Sequence, residues 1–202
     1  MKMKLYSSKT SPFARKVRVS LLELGLEGLV EEVFTDWSAN EPAFLAANPL
    51  GQIPALITDK GESLPGSDLI IEYLQTRGGT LTSLPRGSAR WSKLKRLNLA
   101  DGLAEAAVSI LLESRRPVSE QSPAWISRKQ AAITRSLDAL EAEAGEFLAE
   151  LPSLVEIGVG CALGYLDFRF GTLDWRSTRP ALAAWYAVFA ERPSMVNTAP
   201  VA

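Results

Sequence analysis

The chain contains no histidine and a single cysteine, Cys161, in 202 residues. Without histidine, any catalytic triad that passes a proton through imidazole is excluded. So are the usual histidine-containing zinc sites and haem held by a histidine. One cysteine cannot close an intrachain disulfide, which fits a reducing, cytoplasmic compartment. Charge of one sign is scarce as well: 22 Lys and Arg stand against 23 Asp and Glu, for a formal net charge of −1. No strong pull toward nucleic acid or an anionic membrane is expected. The longest apolar stretches, near residues 157–166 and 181–190, fall well short of the roughly 20 residues a membrane span needs, and both read as core helices. Met1-Lys2-Met3-Lys4 carries positive charge with no apolar stretch behind it, so it predicts no signal peptide. Hydroxyl, carboxylate or thiol-cofactor chemistry remains, and no metal site is expected.

What is present is an ordinary globular composition, 47% hydrophobic and 22% charged, long enough for one large domain or two small ones. The first third alternates strand and helix signals. Met3–Tyr6 is a strand candidate. Ser11-Pro12 opens a helix with a hydroxyl at the cap and proline at the first helical position. Phe13, Val17, Leu21 and Leu24 follow at helical spacing, and Gly25 stops them. Leu29–Phe34 reads as a second strand and Glu41–Ala47 as a short helix, ended by the turn Asn48-Pro49-Leu50-Gly51. Ala55–Thr58 and Glu62–Leu64 suit a hairpin. Ser67 caps a further helix that ends at Gly78-Gly79. The order is β-α-β-α-β-β-α.

Gly78–Pro85 reads as a linker, and beyond it the strand signal disappears. Helices are predicted from Ser88 to Glu113, from Ser122 to about Leu151, from Ser153 with a capping box to Glu156, and from Pro180 to the last apolar positions. The basic cluster Arg86, Arg90, Lys93, Lys95 and Arg96 is expected on a solvated helix face. Cys161 and the glycines at 158, 160 and 164 are expected inside a closely packed helix. Trp125, Trp175 and Trp185 are expected in the core, while Trp37 and Trp91 suit either a cleft or the surface.

Three features of the front region carry chemistry. In Thr10-Ser11-Pro12-Phe13-Ala14-Arg15 a hydroxyl stands at a helix N-terminus, where unpaired N–H groups and the helix dipole favour an anion. A free thiol has a pKa of about 8.5, and lowering it by about two units requires roughly 2.7 kcal/mol of differential stabilisation. Ser11 and the helix end are suited to supply that, or Ser11 is only a cap. In Gly51-Gln52-Ile53-Pro54-Ala55-Leu56, proline after a glycine turn is a candidate cis bond. A cis bond would leave the backbone of Ile53 open to strand-like pairing with a peptide, whereas a trans proline would be an ordinary strand-edge residue. In Leu64-Pro65-Gly66-Ser67-Asp68, the Ser67 hydroxyl and its neighbouring amides suit a carboxylate, or Ser67 too is only a cap.

Together, Ser-Pro-Phe after a first strand, Gly-Gln-Ile-Pro-Ala-Leu, Ser-Asp-Leu-Ile-Ile-Glu-Tyr-Leu and the helical remainder resemble the cytosolic glutathione transferases. Ser153-x-x-Glu156 occupies the place of that family's capping box, and residues 160–167 and Glu191-Arg192-Pro193-Ser194 look like its bacterial members, with Ser11 marking the serine type. The resemblance covers nearly the whole chain. It implies a thioredoxin-like α/β glutathione-binding domain at 1–78, an all-α domain at 86–202, and a homodimer. It further implies glutathione as co-substrate, bound as thiolate and conjugated to a small electrophile lying against the helical domain. Ser11 falls where that family holds the thiolate. Ile53, beside cis-Pro54, would bind the cysteinyl backbone, and Ser67 the γ-glutamyl carboxylate. Phe13, Gln52 and Asp68 complete the expected contact set, and Asp101 falls in a region that often lines the cleft. Many family members place an acidic residue or Gln where this chain has Gly66, which implies a poorer γ-glutamyl contact unless Asp68 or a group from the partner subunit compensates. A non-catalytic or regulatory protein on the same fold is the alternative reading, since the fold does not fix the chemistry.

Overall fold

The structure is a computed structural model that describes residues 2–79, 81–82, 84–148, 150 and 152–201. The chain forms two compact units, Met1–Ser83 with Arg192–Ala202, and Leu84–Glu191. In the first unit the strands are β1 (Met3–Ser7), β2 (Val30–Phe34), β3 (Ala55–Ile57) and β4 (Ser63–Pro65). They form one sheet in the order β2-β1-β3-β4, parallel between β1 and β2 and antiparallel elsewhere. Helices α1 (Pro12–Leu24), α2 (Pro42–Ala47) and α3 (Ser67–Gln75) fall between and after the strands, in the order the sequence predicts.

Local chemistry explains the element ends. Ser11 caps α1 by accepting the Ala14 amide at 3.2 Å, proline takes the first position, and Gly25 closes the helix in the left-handed region. The side chains of β1 alternate between faces. Tyr6 packs with Phe44, Ala47 and Ala55, while Leu5, fully buried, faces the other way. Gly79 allows a close chain approach: a Cβ there would lie 2.6 Å from the Leu24 backbone, and its φ is +66°. Within the expected linker, Thr80 and Ser83 lie outside the described residues.

The last residues depart from the two-part division read from sequence, because 192–202 group with the first unit rather than with the helical one. The reason is polar. Arg192 clamps the Glu23 carboxylate at the end of α1 with two bonds, 2.9 and 2.7 Å, and Ser194 donates to the same group. Burial raises the Glu23 pKa, but these bonds outweigh it and hold it below the usual glutamate range. Arg15, buried in α1, donates to the Met195 carbonyl at 2.9 Å. A short helix, α8 (Pro193–Asn197), follows this clamp.

The second unit holds α4 (Ser88–Ser114), α5 (Pro123–Glu141), α6 (Leu154–Arg169) and α7 (Pro180–Ala190). Helix α4 packs along both α5 and α6. From Leu154 to Leu166 every residue of α6 is buried, Cys161 and the three glycines included. The Ser153–Glu156 capping box is present. Three expectations are corrected here. Helix α5 stops at Glu141 rather than running to Leu151, and a single 3-10 turn at Ala144–Glu146 replaces its end. Gly145 weakens helix there, and Ala144 and Phe147 are buried without it; Leu151 lies outside the described residues. Trp125 is exposed, with Lys129 over its ring at 4.7 Å, whereas Trp175 and Trp185 are buried. The basic cluster is not wholly solvated: Arg96 is buried against Glu143, and Lys93 pairs with buried Glu156 at 2.9 Å.

Candidate functional site

Sheet register brings the three motifs of the first unit to one end of the sheet. Tyr6 of β1 lies opposite Ala55 of β3, so the β1–α1 loop and the Ile53-Pro54 bond emerge side by side. Ala55 in turn lies opposite Pro65 of β4, and the Gly66 amide donates to the Pro54 carbonyl at 3.1 Å. That bond places the start of α3 beside Pro54.

Ser11 is half-buried at the N-terminus of α1. Its oxygen accepts from the Ala14 amide, which leaves its own O–H free to donate outward. The preceding loop is knitted by the Ser8 oxygen, which accepts from the Thr10 amide at 3.2 Å. Phe13, at the second position of α1, is half-buried. Arg15 is turned toward Met195 and Thr198 and contributes no free charge here.

The Ile53-Pro54 peptide bond is cis. Among the described residues, neither the amide nor the carbonyl of Ile53 takes part in a hydrogen bond. Gln52 is exposed, and its carbonyl accepts from the Asn48 side chain at 2.6 Å. Asn48, buried, also accepts from the Leu50 amide at 3.0 Å. It is the organiser of this loop, and the only trace of it in the sequence was a turn signal.

Ser67 is buried but is not the cap of α3. Gly66 occupies the cap position with φ +89° and ψ 143°, and Ser67 is the first helical residue. That backbone conformation is accessible essentially to glycine alone. It accounts for Gly66 on conformational grounds, where the sequence suggested only a missing contact. Because no side chain caps α3, the Ser67 hydroxyl and the first-turn amides keep their capacity for an anion.

Asp68 pairs with Lys16 of α1 at 2.5 Å, the lysine only 2% exposed and the carboxylate 48% exposed. The pair ties the first turn of α3 to α1. Lys16 was missed in the sequence although a signal was there. It sits three residues after Phe13 and four before Ser20, inside the stripe that faces the core, where a lysine needs a carboxylate partner. Asp101 lies in the middle of α4, half-buried, in the helical unit. Among the described residues no group of His, Cys, Asp and Glu is placed to hold a metal ion, and no helix is long and apolar enough to cross a membrane.

This arrangement can bind an extended peptide along Ile53, hold a carboxylate at Ser67, and donate one hydroxyl proton to a group above the first turn of α1. Comparison with known proteins gives it context. Residues 5–80 match the family model "Glutathione S-transferase, N-terminal domain", and residues 123–187 match "Glutathione S-transferase, C-terminal domain". The chain is 34% identical to the uncharacterized GST-like protein YibF of Escherichia coli (strain K12), over 98% of both chains. It is 32% identical to maleylacetoacetate isomerase of Pseudomonas aeruginosa, over 91% of this chain and 86% of the relative. A glutathione transferase family member from Pseudomonas fluorescens Pf-5, solved with bound glutathione, superposes with a TM-score of 0.90 at 37% identity, over 100% of both chains. The same family member with bound S-(propanoic acid)-glutathione gives a TM-score of 0.89 at 40% identity, again over 100% of both chains.

Proposed function

The chain belongs to the glutathione transferase family, and on that premise we propose that its first unit binds glutathione and that the protein uses the tripeptide's sulfur as a nucleophile toward small electrophiles. The observation that carries this reading is the convergence, at one end of the sheet, of the Ser11 hydroxyl, the unpaired backbone of Ile53 and the uncapped first turn of α3. These match the three chemical parts of the tripeptide: a thiol, a peptide backbone and an α-carboxylate.

Each residue then has one task. Ile53 pairs, strand-like, with the cysteinyl backbone, on a loop that Asn48 holds through Gln52 and Leu50. The Ser67 hydroxyl and neighbouring amides take the γ-glutamyl carboxylate. Asp68 serves this contact indirectly, since its pairing with Lys16 fixes the helix end. Ser11 donates its proton to the sulfur, and the α1 N-terminus adds partial positive charge, so the anionic form is favoured. Phe13 follows Ser11 on the same first turn. The acceleration comes from a nucleophile ionised and positioned in advance. No role is assigned to Asp101.

Titration calorimetry with glutathione, followed by a conjugation assay with an aromatic halide electrophile, tests this reading. Saturable binding with turnover is expected. The relative named as an isomerase makes an isomerisation assay the natural companion.

Gly66 favours a second reading, a glutathione-binding protein without turnover. Position 66 is glycine, so no side chain there helps to hold the γ-glutamyl end. Binding without turnover on any electrophile would select it.

A homodimer belongs to the same proposal. Leu69 of α3 and Trp91 of α4 stand exposed, Trp91 at 70%, and a second copy is expected to cover them. Light scattering at micromolar concentration is expected to give twice the chain mass. The mass of a single chain would refute the dimer.

A further inference from the structure

The first turn of a helix carries amides that its own backbone leaves unpaired, and an acidic side chain placed there ordinarily moves toward them. In α3 that side chain is Asp68, at the second helical position. It does not take them. Among the described residues no amide of the turn donates to it, and no side chain caps the helix. The Asp68 carboxylate reaches instead to Lys16 of α1, Oδ1 to Nζ at 2.5 Å.

Lys16 is nearly inaccessible, while the carboxylate is half-exposed. The lysine sits on the buried face of α1 between Arg15 and Val17, and its carbonyl accepts the Ser20 hydroxyl at 2.9 Å. An ammonium so buried requires a carboxylate partner. For that purpose alone, any acid within reach of α1 would serve. Asp68 stands beside Ser67, at the end of α3 suited to an anionic ligand.

An unpaired carboxylate in that turn would oppose such a ligand in two ways. It would occupy the positive end of the helix itself, and it would repel a second carboxylate by like charge. Paired with Lys16 it does neither. Its charge is balanced, and its side chain is drawn to α1 rather than to the amides.

We propose that Lys16 is a positioning residue for carboxylate recognition: by holding Asp68 against α1, it keeps the first turn of α3 open to the ligand's α-carboxylate. This rests on the reading that Ser67 and its neighbouring amides take that group. It gives Asp68 no direct contact with the ligand, so the acid beside Ser67 is compatible with an anion site.

Titration calorimetry on the full chain tests it with two probes, glutathione and γ-aminobutyryl-cysteinylglycine, which is glutathione without the α-carboxylate. Wild type is expected to bind glutathione about tenfold or more tighter than the analogue, since a charged hydrogen-bonded contact is lost. Lys16→Met should weaken glutathione about tenfold and leave the analogue within about twofold, because only the carboxylate meets the freed charge. Adding Asp68→Asn to Lys16→Met should return glutathione to within about threefold of wild type. Asp68→Asn alone should bind glutathione as tightly as wild type or tighter. Asp68 is half-exposed, so its single variant and the double variant keep the test valid if Lys16→Met loses the fold.

Equal weakening of both probes in Lys16→Met would reduce the lysine to a structural role and overturn the proposal. So would unchanged glutathione binding in that variant, or a double variant as weak as Lys16→Met. Weaker glutathione binding in Asp68→Asn alone would show that Asp68 holds the ligand's ammonium group itself, and would overturn it as well. A wild type that binds both probes alike is a separate result, read before any variant. It removes the carboxylate site at Ser67, and this proposal with it.

Discussion

Replacing Ser11 with alanine is expected to lower turnover with glutathione about ten- to a hundredfold at neutral pH, with a much smaller change in glutathione affinity. A hydrogen bond to a charged group contributes about 1.5–3 kcal/mol, and each 1.4 kcal/mol is a factor of ten. The same loss should appear as a rise in the pKa of the bound thiol, read from the ultraviolet absorbance of the thiolate against pH. Ser11 also caps α1 through Ala14, so alanine costs about 0.5–2 kcal/mol of stability, whereas glycine at a cap costs only a few tenths. Ser11→Gly separates the two roles. It should show the full loss of turnover with little loss of stability. A glycine variant as active as wild type would mean that Ser11 is a cap and nothing more.

Glu156→Gln is expected to destabilise the helical unit by about 3–5 kcal/mol, the usual cost of removing one partner from a buried ion pair. Its carboxylate is 1% exposed. It accepts from the Ser153 amide at 2.8 Å and from the Ser153 hydroxyl, and pairs with Lys93 at 2.9 Å. Burial alone would raise its pKa, but the bonds from Ser153 and Lys93 outweigh that and hold it below the usual range. The sign follows from linkage. Because the folded value lies below the unfolded one, the stabilisation is complete above the ordinary glutamate pKa of about 4.3 and is lost as pH falls through the lower, folded value. The resistance of wild type to urea should therefore fall in acid, and the Gln variant should show a shallower dependence there. Identical urea midpoints for the two proteins at pH 7 would contradict this role.

Much of the architecture could be read from single residues because local rules acted without competition. Ser11-Pro12 and Gly25 bounded α1 as caps do, and Ser153 with Glu156 announced α6. Where tertiary contacts overruled local preference, the sequence misled. The apolar stripe after Leu140 suggested one long helix, yet the core takes up Ala144 and Phe147 from a 3-10 turn. Arg96 and Lys93 looked solvated because their acidic partners, Glu143 and Glu156, are remote in sequence. The same distance hid the bond from Arg15 to Met195, and with it the return of the last residues to the first unit.

At the candidate site the motifs were visible but their meeting was not. That meeting depends on register, Tyr6 against Ala55 and Ala55 against Pro65, which no single motif encodes. Gly66 is the clearest case. By sequence it was a missing side chain, and in the fold it is a backbone conformation that side-chain-bearing residues rarely adopt.

A crystal of the protein soaked in glutathione tests the central claim most directly. The account predicts the sulfur within hydrogen-bonding distance of the Ser11 hydroxyl, the cysteinyl backbone paired with Ile53, and the γ-glutamyl carboxylate at Ser67. A tripeptide bound elsewhere, or with its sulfur turned away from the first turn of α1, would contradict it.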